Sequence, residues 1–230
     1  STDTVFPAFT EMGVEFGASA VALQQIVSVY LIVYAAFSLF HGPLSDARGR
    51  RPVIIAGLVV YLIASIGCAL APNLVFLLVM RGLQGAGAGA SQIIGRAMVR
   101  DYFAGERAQK MMASVSMIFG LAPAIAPIVG GWIVGWGNWR AIFWFLVVWA
   151  ALMILATLVL PEPLPPEHRH AFSARRVLDG LTHVWNNPHG RRLAINGALH
   201  FGGVFLYISG APMMMAMLHG GSQDFWMLFV

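Results

Sequence analysis

Of the chain's 230 residues, 58% are hydrophobic and 10% charged, and the net charge is +4. A soluble domain carries about 25% charged residues, so the polar surface needed to cover a water-soluble globule is missing. The basic excess does not indicate nucleic acid, because it is spread through short segments between apolar runs, the distribution that sets orientation in a bilayer.

Two runs, 16–45 and 52–80, contain no Asp, Glu, Lys or Arg, and each exceeds the roughly 20 residues that cross a bilayer core. With a mean hydropathy of +0.74, the chain is predicted to be an all-α, polytopic transmembrane helical bundle. The opening STDTVFPAF has no initiator Met and no basic start ahead of an apolar region, so it is not a secretory signal. It reads as the outer part of a first helix, about 1–12, entered partway along, and a polar turn follows at 15–19. Further spans are predicted at about 22–40, 52–71, 74–99, 111–134 and 139–160, the third stopping at Pro72-Asn73. The proline-rich, charged linker PEPLPPEHRH comes next, then SARRVLDGLTHVWNN, in which Val177, Leu181 and Val184/Trp185 recur at helical spacing and suit a helix lying along the membrane surface. A seventh span covers about 193–218, and DFWMLFV begins an eighth. The predicted organisation is a six-helix bundle over 1–160 with its first helix truncated, a cytoplasmic linker with an amphipathic helix over 161–191, and the start of a second bundle over 192–230.

Twelve of the fourteen basic residues fall on one side of these spans; Arg81 lies within a span and Arg140 at an opposite end. The positive-inside bias makes the basic side cytoplasmic. Trp132, Trp136 and Trp139 gather at the far ends of spans five and six, as an interfacial aromatic belt would. Cys68 is the single cysteine, so neither a disulfide framework nor a metal site can be built on it.

Three stretches carry a resemblance. GPLSDARGRR, 42–51, resembles the signature G-x-L-a-D-r-x-G-r-r of the major facilitator superfamily, in the loop between spans two and three where that family has it. RGLQGAG from Arg81 on span four resembles the R-x-x-q-G-x-g pattern, and APAIAPIVGG, 122–131, resembles the span-five pattern g-x-x-x-G-P-x-x-G-G of proton-coupled drug antiporters. With TDTVFPAF and NWRAIFWF, the likeness is to the bicyclomycin/chloramphenicol-resistance branch, and it covers the whole chain; a full member would have about five more helices. Ala47 stands where the family has a basic residue, and Ala122 and Ala126 replace two glycines of the span-five pattern.

In the signature, Gly42 and Gly49 permit close backbone approach and unusual backbone angles, and Pro52 suits the first turn of span three. The resemblance implies a cytoplasmic gate in which Asp46 meets a helix end of the second bundle and Arg50 meets a carboxylate near the end of span four, for which Asp101 is the candidate. Arg51 is read equally well as a topology setter. On span five, Pro123 and Pro127 should bend the helix, while Ala122, Ala126 and Gly130, followed by Gly131, provide small residues for close packing, as do Gly85 and Gly89 on span four.

Arg81 is expected about 10 Å into span four, and Asp3 roughly 13 Å in from the same face on span one. A charge at that depth normally faces a cavity or a partner. The two are expected to line one central cavity, with Gln84 a turn from Arg81 and Tyr30, Tyr34 and Gln92 as its other polar lining. Asp3 is the one carboxylate in the spans able to exchange a proton, its affinity raised by burial and lowered by the cation; STDT could also simply cap a helix. His200 reads as a hydrogen-bonded structural residue, and Met213, Met214, Met215 and Met217 as pocket or lipid-facing thioethers.

No H-E-x-x-H, G-x-S-x-G or clustered Asp/His pattern supports an enzyme or a metal site. The expected function is proton-coupled export of drug-like amphipathic molecules by alternating access, with import of a polar metabolite as the alternative and a non-transporting scaffold as a remoter one. No cofactor is expected beyond the proton gradient. The expected partners are a small-molecule substrate, protons and membrane lipid, in a multi-pass protein of a bacterial cytoplasmic membrane, monomeric at full length.

Overall fold

The computed structural model describes residues 4–217. Asp3 and the start of an eighth helix lie outside the described residues, and no side chains are described at Met213, Met214, Met215 and Met217.

In hydrocarbon every backbone N–H and C=O must be satisfied within the segment, which leaves the helix as the solution for runs this apolar. After a 3-10 turn at Phe6–Ala8 come α1 (Phe9–Phe16), α2 (Ala20–Arg48), α3 (Arg50–Ala69), α4 (Leu74–Tyr102), α5 (Gly105–Trp136) and α6 (Trp139–Val159); α7 (Ala174–Asn186) and α8 (Pro188–Met217) follow the linker. No strand occurs among the described residues. Helices α2, α3, α4 and α6 are long and apolar enough to cross a membrane, and α5 joins them if its two halves, Gly105–Pro123 and Ile125–Trp136, inclined at 44°, form one span. That bend follows Pro123, whose ring and missing N–H break the helical ladder.

Helix starts carry ordinary chemistry. Ser19 Oγ accepts from Ala22 N at 3.3 Å, and Asn73 Oδ1 from Phe76 N at 2.9 Å; both satisfy donors that a first turn leaves unpaired. Several ends differ from the sequence expectation because the helices outrun the apolar stretches. The 42–48 part of the signature, expected in a loop, continues α2 to Arg48, with Pro43 inside the helix and Gly49 alone joining α2 to α3. Leaving hydrocarbon does not end a helix, since the interface supplies water and side chains to the freed backbone groups. Likewise α5 begins at Gly105 rather than near 111, and α1 runs to Phe16.

The main core joins α1, α2, α3, α4 and α6 through Met12, Ile26, Cys68, Leu77, Trp139 and Phe143, all fully buried. A second core between α3 and α4 holds Val53, Ile54, Leu58, Ala90, Ile94 and Met98. Glycines set how closely the helices approach. A Cβ on Gly85 would collide with the Tyr30 carbonyl on α2, and one on Gly87 with the Gly57 carbonyl on α3. A Cβ on Gly89 would come 3.1 Å from His41 Nδ1. On α5, Gly130 lies against the Thr4 carbonyl, while Gly131 faces open space. Small residues thus bring backbones together, as in other lipid-embedded bundles.

At the end away from the basic residues, Glu11 Oε2 accepts from Trp139 N at 2.9 Å, and Glu15 Oε2 from Trp139 Nε1 at 2.5 Å. Arg140 Nη2 pairs with Glu15 Oε1 at 2.7 Å and donates to the Ala71 carbonyl at 3.2 Å, so α1, α6 and the turn between α3 and α4 are tied together there. Trp139 therefore departs from the expected belt: it is fully buried, packed edge-on to Phe16 and Phe143, whereas Trp132 and Trp136 are exposed. Its indole can be buried because Glu15 accepts its N–H. On α7, Leu178, Leu181, Val184 and Trp185 are all exposed.

Candidate functional site

Two polar regions occur inside the bundle, one at its middle and one at its basic end. The middle is built on Arg81, which is fully buried. Its Nε donates to the Ile26 carbonyl on α2 at 3.2 Å and its Nη1 to Gln84 Oε1 at 2.5 Å, while the guanidinium stands 4.4 Å from the Tyr30 ring centroid. Gln84 Nε2 donates to Ser65 Oγ on α3 at 2.7 Å, and Ser65 returns its proton to the Tyr61 carbonyl at 2.7 Å. Tyr30 stacks on Tyr34, whose hydroxyl donates to Gln92 Oε1. The expected cavity residues Arg81, Gln84, Tyr30 and Tyr34 therefore form one connected column along α2 and α4.

Besides accepting from Arg81, Gln84 reaches Ser65 on α3; a lone serine in an apolar span carries no spacing signal that would single it out. What Arg81 lacks is a counter-charge. No carboxylate pairs with it among the described residues, and its buried Nη2 has no hydrogen-bond partner among them. A buried cation is costly unless paired and hydrogen-bonded, so this donor is the unfinished part of the site.

At the basic end, Arg50 Nη1 pairs with Asp46 one turn earlier, donates to Ser45 Oγ at 2.7 Å, and Arg50 Nε reaches Asp101 Oδ2 on α4 at 2.9 Å. Arg51 Nη2 donates to the Leu158 carbonyl at the end of α6 at 2.6 Å. Glu162, which the sequence did not single out, accepts from Arg50 N and Arg51 N at 2.9 Å each. It thereby caps α3, whose N-cap residue, Gly49, has no side chain to do so. His170 N donates to the Asp46 carbonyl at 3.2 Å, and Tyr102 OH to the Pro161 carbonyl at 2.5 Å. The ends of α2, α3, α4 and α6 and the linker are thus bound into one network.

The two signature glycines differ. Gly49 has φ 101°, a left-handed value that favours glycine, and a Cβ there would stand 2.9 Å from Glu162 Oε2. At Gly42 the backbone is helical and a Cβ would meet nothing within 4 Å, so the reason expected for both glycines holds only at Gly49 among the described residues. The antiporter-like stretch on α5 stands apart from both polar regions in the described contacts: Pro127 and Gly130 are buried, Pro123 and Ala126 half-buried, Gly131 exposed.

The profile of the Major Facilitator Superfamily matches residues 1–230. A Bacillus subtilis protein described as the uncharacterized MFS-type transporter YdgK is 32% identical over 99% of this chain and 58% of its own length. A bicyclomycin resistance protein homolog of Haemophilus influenzae is 25% identical over 96% and 56% respectively, and a chloramphenicol resistance protein of Pseudomonas aeruginosa 37% identical over 63% and 35%. The crystal structure of the human organic anion transporter MFSD10 superposes with a TM-score of 0.63 at 21% identity, covering 96% of this chain and 58% of that one. The chain spans little more than half the length of the first relatives it matches.

Proposed function

The chain belongs to the major facilitator superfamily, and on that premise we propose that it supplies the first bundle of a multi-pass secondary transporter that exports drug-like amphipathic molecules in exchange for protons. The drug-resistance names of relatives in Haemophilus and Pseudomonas support the export reading. The observation that carries proton coupling is the buried Arg81 guanidinium, held on three sides by Ile26, Gln84 and Tyr30 yet with no carboxylate partner among the described residues. In this reading Asp3 is the missing counter-charge. Deprotonated, it pairs with Arg81; protonated, it releases Arg81 to its other partners and frees the cavity for the alternate access state.

The basic end is cytoplasmic in this reading, and the protein is a monomer of a bacterial cytoplasmic membrane. The network of Asp46, Arg50, Asp101 and Glu162 makes the ends of four helices move together, as rocking of one bundle against another requires. The Asp46 side chain is 49% exposed and is the group that meets the second bundle's helix end when that side closes. The energy source is the proton gradient, with no other cofactor.

The test uses the full-length transporter in inverted membrane vesicles loaded with a pH-sensitive dye. Adding a lipophilic drug should collapse the proton gradient, and Arg81→Ala should abolish that response. Absence of a drug-evoked proton movement, together with accumulation of a polar metabolite in intact cells, would replace export by import.

A further inference from the structure

A cavity of about 460 Å³ opens between α2, α4 and α5 near the basic end. Its volume lies in the range of small-ligand pockets, roughly 300–1,000 Å³. Arg96 and Arg100, a helical turn apart on α4, line it together with Tyr34, Ser38, Gln92 and Met112.

The wall is rich in donors and has no negative charge. Neither Arg96 nor Arg100 pairs with a carboxylate among the described residues. The acids closest to them in sequence are engaged elsewhere: Asp101 holds Arg50 Nε at 2.9 Å, and Glu106 holds Lys110 at 2.9 Å. Gln92 spends its carbonyl on the Tyr34 hydroxyl, which leaves its amide N–H groups as the part available to a ligand. Ser38 gives its proton to the Ala35 carbonyl at 2.8 Å. An apolar side is also present, since Ile93 and Met112 line the same space; the Arg96 guanidinium is itself positioned by the Phe119 ring, 5.7 Å from its centroid. Orientation in the membrane needs positive charge somewhere near this surface. It does not need two guanidiniums facing one cavity with their neighbouring carboxylates tied up.

We propose that this cavity binds an organic anion, an apolar body bearing a carboxylate, sulfonate or phosphate, with the anionic group held by Arg96 and Arg100 and the body against Met112 and Ile93. Guanidinium forks match such planar or trigonal oxyanions with paired hydrogen bonds. The proposal deepens the exporter reading and rests on it only in taking the ligand for cargo. The same chemistry is offered by a soluble organic anion and by the headgroup of an anionic lipid.

The test is equilibrium binding to the full-length protein in phosphatidylcholine nanodiscs, with no proton gradient. The probes are naphthalene-2-sulfonate and its uncharged analogue naphthalene-2-sulfonamide. The sulfonate should bind at least about tenfold more tightly than the sulfonamide, and Arg96→Gln and Arg100→Gln should each weaken sulfonate binding by about tenfold, with Arg96→Lys retaining part of it. Sulfonate binding that persists when phosphatidylglycerol is added to the discs identifies a soluble ligand; displacement identifies the lipid headgroup, with the anion site standing in either case. Equal affinity for the two probes in the unmodified protein overturns the proposal, as does sulfonate binding unchanged in both glutamine variants. Failure of drug-evoked proton flux would remove the exporter reading and leave this binding result as it is.

Discussion

Replacing Glu162 by alanine tests whether the basic end is held as the structure describes. The carboxylate accepts from Arg50 N and Arg51 N at 2.9 Å each, and these are first-turn donors of α3 with no other side-chain acceptor. Loss of an N-terminal cap costs about 1 kcal/mol, with a range of roughly 0.5–2. Removing a negative charge from a helix N-terminus adds about 0.3–1 kcal/mol. Together the expected loss is about 0.8–3 kcal/mol, read as a lowered melting temperature. Glu162→Gln keeps one acceptor oxygen and should lose about half as much. The assay is thermal unfolding of the full-length protein in mild detergent, followed by labelling of Cys68, which is buried in the native bundle, with a thiol-reactive dye. Glu167→Ala is the matched control, since that residue is exposed in the same linker and should change stability by no more than about 0.5 kcal/mol. Equal melting temperatures for Glu162→Ala and Glu167→Ala would refute the capping role.

Gly85→Ala should destabilise by about 1–3 kcal/mol, because its Cβ meets the Tyr30 backbone and α2 and α4 must separate; Gly95→Ala, helical and facing open space, should be neutral or gain up to about 1 kcal/mol in the same melting assay. Hydrogen bonds from Arg140 and then Trp139 hold the Glu15 carboxyl below its ordinary value of 4.5. Its contribution is therefore complete above the ordinary carboxylate range and is lost as pH falls through the lowered value, so Glu15→Gln should lower the melting temperature at neutral pH, flatten the acid limb of the profile, and differ little from the unmodified protein below the lowered value. Ser65→Ala removes the acceptor for Gln84 Nε2 and should cost about 1–3 kcal/mol in stability, from the donor left unsatisfied, while Ser91→Ala on the exposed side of α4 should not.

The spans of α2, α3, α4 and α6 were legible because hydrocarbon admits few backbone solutions for long apolar runs. Helix ends were not, since α2 carries the signature on to Arg48 where composition suggested a loop; apolarity marks where lipid ends, and a helix can continue into the interface. Arg81 with Gln84 could be read from their spacing on one helix face. Glu162 could not: it meets Arg50 across 112 positions, and a carboxylate in a proline-rich linker looks like a solvated charge until the fold brings it to α3. Arg96 and Arg100 were read as topology alone, because charge counting does not show which side chains share a cavity. Residue type alone suggests the interface for Trp139, whereas the partner that permits its burial, Glu15, lies on another helix, α1.

Proton release on drug binding tests the central claim most directly. The full-length protein, purified in a weakly buffered detergent solution, is mixed with drug while a pH indicator records proton release. If a carboxylate beside Arg81 exchanges its proton for substrate, the unmodified protein releases protons on binding, and Asp3→Asn binds drug without releasing them. Proton release that is the same in both proteins would contradict the account.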